Sequence, residues 1–163
     1  MIAKSDALLR LDFEDEKANK RIEELSTKEE VLDIEMDSPY QPAILQETTD
    51  WLDAYFDRRK LPPSPPIQFD DTLFRMLVWN LLSDIPYGKT ISYKEMANLV
   101  AKTRGMKRMS AQAIGQAVGR NPISIIVPCH RVIGVKGELV GYGGGLFRKK
   151  FLLELEEKES RNK

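Results

Sequence analysis

The chain of 163 residues contains one cysteine and one histidine, and the two are neighbours, Cys129 and His130. A lone cysteine is most often an inert core residue. An imidazole or a guanidinium close to a thiol favours the thiolate, which is the nucleophilic form, and Arg131 adds a guanidinium to this pair. Side chains of adjacent residues diverge in an extended segment, so the thiol and the imidazole need not bond directly, and a water could bridge them. These residues alone leave a reactive thiol and an inert core cysteine both open.

The cysteine and histidine counts exclude a disulfide and a zinc site. One cysteine cannot form an internal disulfide, and one cysteine with one histidine cannot complete a zinc site. No apolar run approaches the roughly 20 residues that span a bilayer. The first residues lack the cationic segment, apolar block and cleavage site of a secretory signal. The sequence therefore predicts a cytoplasmic protein with no structural metal and no membrane segment.

Charge divides the chain near Asp71. Residues 1–71 hold 18 acidic and 9 basic side chains, whereas residues 72–163 hold 7 acidic and 16 basic ones. Between residues 88 and 150 only two side chains are acidic, against twelve that are basic. This stretch could bind a polyanion such as nucleic acid, although the whole chain is formally neutral. Packing of two oppositely charged parts against each other would explain the same asymmetry, so charge alone leaves both interpretations open.

The segment Leu61–Phe69 has four prolines in nine residues and is predicted to be a linker, because proline excludes helix and disfavours a central strand. The elements predicted before it are a strand over Ala7–Phe13, helix and surface loop over Asp15–Glu35, and a helix over Ile44–Arg58. We predict an α+β protein with two domains. Residues 1–66 would form a small N-terminal α/β domain that includes the linker, and residues 67–163 a mainly helical C-terminal domain.

Two short helices in the second domain predict a helix-turn-helix. A core helix over Asp71–Ser83 precedes them. Ser92 and Glu95 form a capping box for a helix over Tyr93–Ala101. A basic turn then leads to a helix of unusually small residues over Ser110–Gly119. Glycine destabilises a helix interior by about 1 kcal/mol, so these small residues indicate a close backbone approach, either to DNA or to another helix.

The remaining elements surround Cys129. The β-branched run Ile123–Val127 predicts a buried strand that leads into the cysteine. The segment Gly141–Leu146 predicts a loop with exposed amides, which could line a flat ligand or form only a flexible turn. It lacks the spacing of nucleotide-binding glycine motifs. A last helix is predicted over Phe147–Lys158.

Four motifs in this order, IPYGKTISY, AVGRNP, VPCHRVIG and GYGGGL, closely resemble the O6-alkylguanine-DNA alkyltransferase family. The resemblance covers about Phe69–Glu157. It implies a small N-terminal sheet domain and a helical C-terminal domain whose helix-turn-helix enters the minor groove and flips the damaged base outward. The implied reaction is irreversible transfer of a methyl or other alkyl group from O6 of guanine to the protein, once per molecule. It leaves adduct size and activity on O4 of thymine open.

The resemblance also implies roles for individual residues. Cys129 would accept the alkyl group, His130 would take its proton through a water, and Glu156 would orient His130. The roles implied around them are hydrogen bonds to the leaving guanine from the Tyr93 hydroxyl and the Gly143 amide, a pocket wall from Tyr142, and a link from Asn121 between the recognition helix and the active-site segment.

The implied partner is double-stranded DNA that contains alkylated guanine, bound by a monomer without a cofactor. The residues expected to contact DNA are Lys107, Arg108, Ala111, Gln112, Gly115, Arg120 and Arg131. Well-studied members have an arginine where this chain has Gln112. Glutamine can hydrogen-bond to the orphaned cytosine but carries no charge, and we expect Lys107 and Arg108 to offset that loss. We expect the opening strand that is usual in the family to be shortened in this chain, before Ala7.

Three other functions fit parts of the sequence. A lesion-binding relative without transfer activity would lack the acceptor cysteine, which is present here. A regulator that signals damage through an alkylated cysteine would need an additional activator domain. A cysteine hydrolase would use Cys129 and His130 but would leave the basic helix-turn-helix unexplained.

Overall fold

The structure is a computed structural model and describes residues 1–4, 6–13 and 43–160. The helix and loop predicted over Asp15–Glu35 lie outside these residues. The chain forms two compact units, Met1–Phe69 and Asp70–Lys163. Both helices and strands occur among the described residues, so the predicted α+β class is confirmed. None of the described helices is both long and apolar enough to cross a bilayer.

The first unit contains a hairpin and one helix. Strand β1 (Ile2–Lys4) pairs antiparallel with β2 (Ala7–Arg10), which ends earlier than the predicted strand. The proline-rich segment is extended and pairs with β2, because the Leu8 amide donates to the Pro66 carbonyl at 2.8 Å and the Gln68 amide donates to Leu8 at 3.0 Å. Helix α1 (Ala43–Phe56) confirms the predicted helix and buries a stacked aromatic pair.

Four helices form most of the second unit, and each one was predicted from the sequence. They are α2 (Leu73–Ser83), α3 (Tyr93–Thr103), α4 (Ala111–Val118) and α5 (Leu146–Ser160). Both bonds of the capping box between Ser92 and Glu95 are present at the start of α3. Helix α4 packs against α2 and α3, and the buried indole of Trp79 donates to the Ala117 carbonyl at 2.9 Å. The two helices α3 and α4 with the turn between them form the predicted helix-turn-helix.

A short parallel pairing brings distant parts of the second unit together. Strand β3 (Ile91–Ser92) pairs with β4 (Val132–Ile133), with Ile91 opposite Val132. A single 3-10 turn, Cys129–Arg131, comes directly before β4, and helix α3 comes directly after β3. The pairing therefore aligns the segment before β3 with the turn that carries the cysteine.

The predicted strand over Ile123–Val127 is wrong. These residues form a buried turn, in which the Val127 amide donates to the Ile123 carbonyl at 3.1 Å. Ile125 has a φ of 71°, a left-handed conformation that a β-branched residue rarely adopts and that breaks an extended chain. β-branched residues are typical of strands, but in this segment they reflect burial and not an extended conformation. The sequence pattern therefore predicted a strand that does not form.

Candidate active site

Cys129 lies at the start of the 3-10 turn and is 6% exposed. Its sulfur accepts a hydrogen bond from the Asn121 side-chain nitrogen at 3.1 Å. The same nitrogen donates to the carbonyls of Ile123 and Val127 at 3.1 and 2.9 Å, and the Asn121 oxygen accepts from the Ile123 amide. Asn121 follows the end of α4, so one side chain joins that helix to the buried turn and to the thiol.

The structure brings His130 and Glu156 together. Nε2 of His130 lies 2.8 Å from Oε1 of Glu156, and both side chains are almost completely buried. The Gly88 amide donates to the other carboxylate oxygen at 3.0 Å. The second ring nitrogen, Nδ1, makes no hydrogen bond to any described residue. The ring is therefore held on one side by a carboxylate and can exchange a proton on the other.

Arg131 does not lie on a DNA-facing surface, contrary to the expectation from the sequence. It is 7% exposed, and its Nε and Nη2 donate to the Glu156 carboxylate at 2.9 to 3.2 Å. Nη1 donates to the Ile85 carbonyl, and the guanidinium lies 5.6 Å from the centre of the Tyr87 ring. Burial of Glu156 requires a compensating charge, which draws the guanidinium inward. We call His130, Arg131 and Glu156 the Glu156 cluster.

These contacts set the ionisation of the cluster. Burial alone would raise the pKa of Glu156, but the hydrogen bonds and charges of His130 and Arg131 lower it to about 2. Burial lowers the pKa of His130, and the charge of Arg131 acts in the same direction, whereas Glu156 acts to raise it. Glu156 is thus a carboxylate and His130 a neutral ring at neutral pH.

The thiol itself is protonated in this state. Burial raises the pKa of Cys129, while the hydrogen bond from Asn121 and the charge of Lys149 act in the opposite direction. The sequence suggested that Arg131 would favour the thiolate, but its charge is directed to Glu156 instead. The thiol therefore needs a base to remove its proton, and His130 is the adjacent candidate.

Lys149 is a site residue that the sequence reasoning missed. It is fully buried on α5, and its Nζ donates to the carbonyls of Val132 at 2.6 Å and Val140 at 2.8 Å. Burial lowers its pKa to about 8. The signal was helical spacing, because Lys149 shares one face of α5 with buried Leu152 and Glu156. This cation is the one that acts on the Cys129 thiol.

Tyr93 and the glycine-rich loop form the open side of the site. The half-exposed Tyr93 hydroxyl donates weakly to the carbonyls of Val140 and Gly141, at 3.3 and 3.4 Å. Burial and the thiolate charge raise the pKa of Tyr93, so it is a hydrogen-bond donor at neutral pH. A methyl group at Gly115 would lie 3.8 Å from the Tyr93 ring, and one at Gly143 would lie 4.0 Å from the Gly119 carbonyl. Helix α4 therefore lies beside the Tyr93 ring, and the loop lies beside the residue that ends α4.

Tyr142, in the same loop, is half-buried. The loop carbonyls and amides offer polar groups to a ligand, but the described residues contain no group of three histidine, cysteine, aspartate or glutamate side chains that could hold a metal ion.

The predicted DNA-contacting residues other than Arg131 lie on or beside the helix-turn-helix. Five of them are exposed and define what we call the α4 surface: Lys107, Arg108, Ala111, Gln112 and Arg120. Gly115 is half-buried because it faces Tyr93. The surface combines two uncharged residues on the helix, Ala111 and Gln112, with cations on both flanks, which suits a polyanion.

The chain is similar in sequence to known proteins. Residues 73–158 match the family model described as the DNA binding domain of 6-O-methylguanine DNA methyltransferase. A methylated-DNA--protein-cysteine methyltransferase of Mycobacterium leprae is 49% identical over 111 residues, which are 68% of this chain and 64% of that protein. One from Methanosarcina barkeri is 40% identical over 146 residues, which are 90% of this chain and 89% of that protein.

Solved structures are similar as well. The Mycobacterium tuberculosis OGT in complex with DNA is 39% identical with a TM-score of 0.65, over 77% of this chain and 79% of that one. The O6-methylguanine-DNA methyltransferase of Pyrococcus kodakaraensis is 26% identical with a TM-score of 0.58, over 95% of this chain and 88% of that one.

The fold and site define a helix-turn-helix unit that carries a buried cysteine beside a histidine–glutamate pair. The chain belongs to the O6-methylguanine-DNA methyltransferase family. The aligned part spans 64% of the length of the Mycobacterium leprae relative.

Proposed function

We propose that this protein repairs alkylated guanine in double-stranded DNA by transferring the alkyl group from O6 irreversibly to Cys129. The observation that carries the proposal is the arrangement around the single cysteine: a thiol bonded to Asn121 and followed directly by a His130 that is paired with Glu156 at 2.8 Å. The names of the curated relatives support the same activity. The second unit, Asp70–Lys163, holds every residue that the reaction uses.

The reaction begins with removal of the thiol proton. The proton passes through a water to Nδ1 of His130, while Nε2 stays bonded to the Glu156 carboxylate, which balances the charge on the ring. Lys149 stabilises the thiolate. The sulfur then attacks the alkyl carbon from the side opposite O6, a C–S bond forms, and the C–O6 bond breaks with its electron pair going to guanine. The guanine takes up one proton, and the thioether remains on the protein.

The leaving guanine needs stabilisation where its negative charge develops. The Tyr93 hydroxyl makes only weak bonds to loop carbonyls in the free protein and can donate to the base instead. The Gly143 amide is a second donor, and Tyr142 lines the pocket. Because the thioether cannot be hydrolysed under mild conditions, each molecule acts once.

A sulfur that is 6% exposed cannot reach a base inside a duplex, so the alkylated nucleotide must leave the stack. Helix α4 enters the minor groove, where Ala111 and Gly115 permit close approach. Gln112 fills the gap beside the orphaned cytosine, and Arg120 with Lys107 and Arg108 contacts phosphates. We propose that the protein acts as a monomer, as the resemblance implies.

Intact mass measurement tests the proposal. The protein is mixed with a duplex that contains O6-methylguanine, beside a Cys129→Ser variant and a duplex with ordinary guanine. We expect one methyl group on the unmodified chain, at a limit of one equivalent, and none on the variant or with ordinary guanine. Tight binding to the lesion without any mass change would indicate a lesion-binding protein and would refute the transfer reaction. A methyl group on another residue would refute the role of Cys129.

A further inference from the structure

Arg131 donates four hydrogen bonds within the described site, yet the transfer reaction gives it no task. Its guanidinium donates twice to one oxygen of Glu156 and once to the other, while its remaining nitrogen is anchored on the Ile85 carbonyl. The Tyr87 ring packs against the same group. The arginine therefore ties the carboxylate of α5 to the loop between α2 and β3.

We propose that Arg131 is a positioning residue that keeps the His130–Glu156 pair free of a proton, so that the pair can accept one from Cys129. This inference rests on the proposed transfer reaction. It assigns Arg131 a role inside the protein in place of the DNA contact that the sequence predicted.

The electrostatic argument concerns the pair as one unit. His130 and Glu156 share a hydrogen bond in a dry site, so a proton taken up by either belongs to both. Without a proton the pair carries one negative charge, and with a proton it carries none. The positive charge of Arg131, in contact with the pair, stabilises the first state and not the second. Removing that charge must raise the pH at which the pair takes up its proton.

Other charged and titratable groups also lie around the pair. Lys149 on α5 acts on His130 in the same direction as Arg131 but more weakly, and its Nζ is bonded to the carbonyls of Val132 and Val140. Cys129 supplies the proton itself. The segment before β3 offers the Gly88 amide and the Ile85 carbonyl, neither of which titrates, and the Tyr87 ring, which packs against the Arg131 guanidinium. Burial is the largest cause of the lowered pKa of His130, and the effect of Glu156, which raises it, does not reverse the shift.

The planar guanidinium of Arg131 also has a geometric role. Three hydrogen bonds from one planar group fix the rotation of the carboxylate, which in turn fixes the plane of the imidazole. A lysine at this position would keep the charge but could not make the same set of bonds. Charge and geometry can therefore be separated by two variants.

The experiment compares the unmodified protein with Arg131→Gln and Arg131→Lys. Because His130 is the only histidine of the chain, its ring signals in a histidine-selective NMR titration need no assignment. In parallel, single-turnover methyl transfer from O6-methylguanine duplex is followed from pH 5.5 to 9, and affinity for that duplex is measured separately. Thermal unfolding reports whether each variant is folded.

We expect Arg131→Gln to move the His130 titration and the acid limb of the rate profile upward by roughly one to three pH units. Its rate should be at least about tenfold lower at pH 6 and should approach that of the unmodified protein at high pH. Arg131→Lys should restore most of the titration but remain several-fold slower at every pH. Neither variant should lose DNA affinity.

Several results would overturn the inference. An unmoved His130 titration in Arg131→Gln would show a packing role only, and a loss of DNA affinity would return Arg131 to the DNA interface. If Arg131→Gln does not fold, a rate for Arg131→Lys equal to that of the unmodified protein, or a His130 pKa at or above about 6.5 in the unmodified protein, contradicts it. If the unmodified protein transfers no methyl group, the proposed function fails, and the NMR titration still decides the electrostatic role of Arg131.

Discussion

Cys129 has a buried side and an open side, and they are built in opposite ways. On the buried side, Asn121 and the Glu156 cluster are held by hydrogen bonds of at most 3.2 Å, and the cluster residues are at most 7% exposed. On the open side, Tyr93 makes two bonds longer than 3.2 Å to a loop of mostly exposed residues. Under the proposed function, the side that prepares the thiol is rigid before DNA binds. The side that receives the base offers weak contacts that a ligand can replace.

This contrast predicts two classes of variant. Substitutions on the buried side should lower both stability and transfer, because each bond there has a structural and a chemical role. Substitutions on the α4 surface should change DNA affinity and leave stability and the chemical step nearly unaltered. The expected effects decrease from the centre of the Glu156 cluster outward.

Glu156→Gln should have the largest effect. It leaves the Arg131 guanidinium buried without a countercharge, which costs about 3 to 5 kcal/mol. It also removes the carboxylate that supports the protonated ring of His130, so the transfer rate should fall roughly 100-fold or more. Denaturant unfolding and single-turnover kinetics measure the two effects. Glu157→Gln, one residue along on the exposed face, is the matched control and should change stability by less than about 0.5 kcal/mol.

The same carboxylate predicts a pH dependence of stability. The pKa of Glu156 is lowered from 4.5 to about 2 by its partners against the effect of burial, so its contribution is fully present above pH 4.5 and is lost as the pH falls toward 2. The contribution is on the order of 3 kcal/mol. The unmodified protein should therefore lose more stability than Glu156→Gln between pH 5 and 2. Parallel unfolding curves for the two proteins over this range would contradict the depressed pKa.

Asn121→Ala should have the second largest effect. The Ile123 amide loses its acceptor, and the carbonyls of Ile123 and Val127 each lose one of two donors, which together costs about 1 to 3 kcal/mol. Displacement of the sulfur by a fraction of an ångström should lower the transfer rate by roughly 10 to 100-fold. Asn98→Ala, at an exposed position on α3, serves as the control. A variant that lost stability but transferred at the original rate would show that Asn121 supports only the turn.

Lys149→Met tests the cation that connects the two sides, since its Nζ is bonded to Val132 beside the turn and to Val140 in the loop. The rate at pH 7 should fall roughly tenfold, because the thiolate loses the positive charge that acts on it. Burial lowers the pKa of Lys149 to about 8, so the ratio of the two rates should shrink as the pH rises through that value. Lys150→Met, an exposed neighbour, should change neither rate nor profile. A pH-independent ratio would assign Lys149 a structural role.

The sequence predicted the elements that have periodic apolar residues and caps, and these include all four helices of the second unit. It failed where a tertiary interaction decides the conformation. Ile123–Val127 is a turn because Asn121 bonds to the carbonyls at both of its ends, and propensity cannot report such a bond. Arg131 faces inward because Glu156, 25 residues away, is buried beside it. Lys149 was overlooked because a lysine within a charged run resembles a surface residue, and only its helical phase with Leu152 indicates otherwise.

Gln112→Arg addresses the open side and should have the smallest effect. An added cation on the α4 surface should raise affinity for duplex DNA several-fold at low salt and steepen the slope of log affinity against log salt by about 1. If the side chain also occupies the gap left by a flipped base, affinity for the lesion duplex should rise more than affinity for plain duplex. Gln116→Arg lies one turn further along the same helix, is equally exposed, and adds the same charge. A larger lesion preference in Gln112→Arg than in Gln116→Arg supports a specific place for residue 112 beside the base. Equal gains would mean that a charge at residue 112 only adds general electrostatic attraction to phosphates. In both variants, stability and the rate at saturating DNA should remain those of the unmodified protein, because no bond on the buried side of Cys129 is altered.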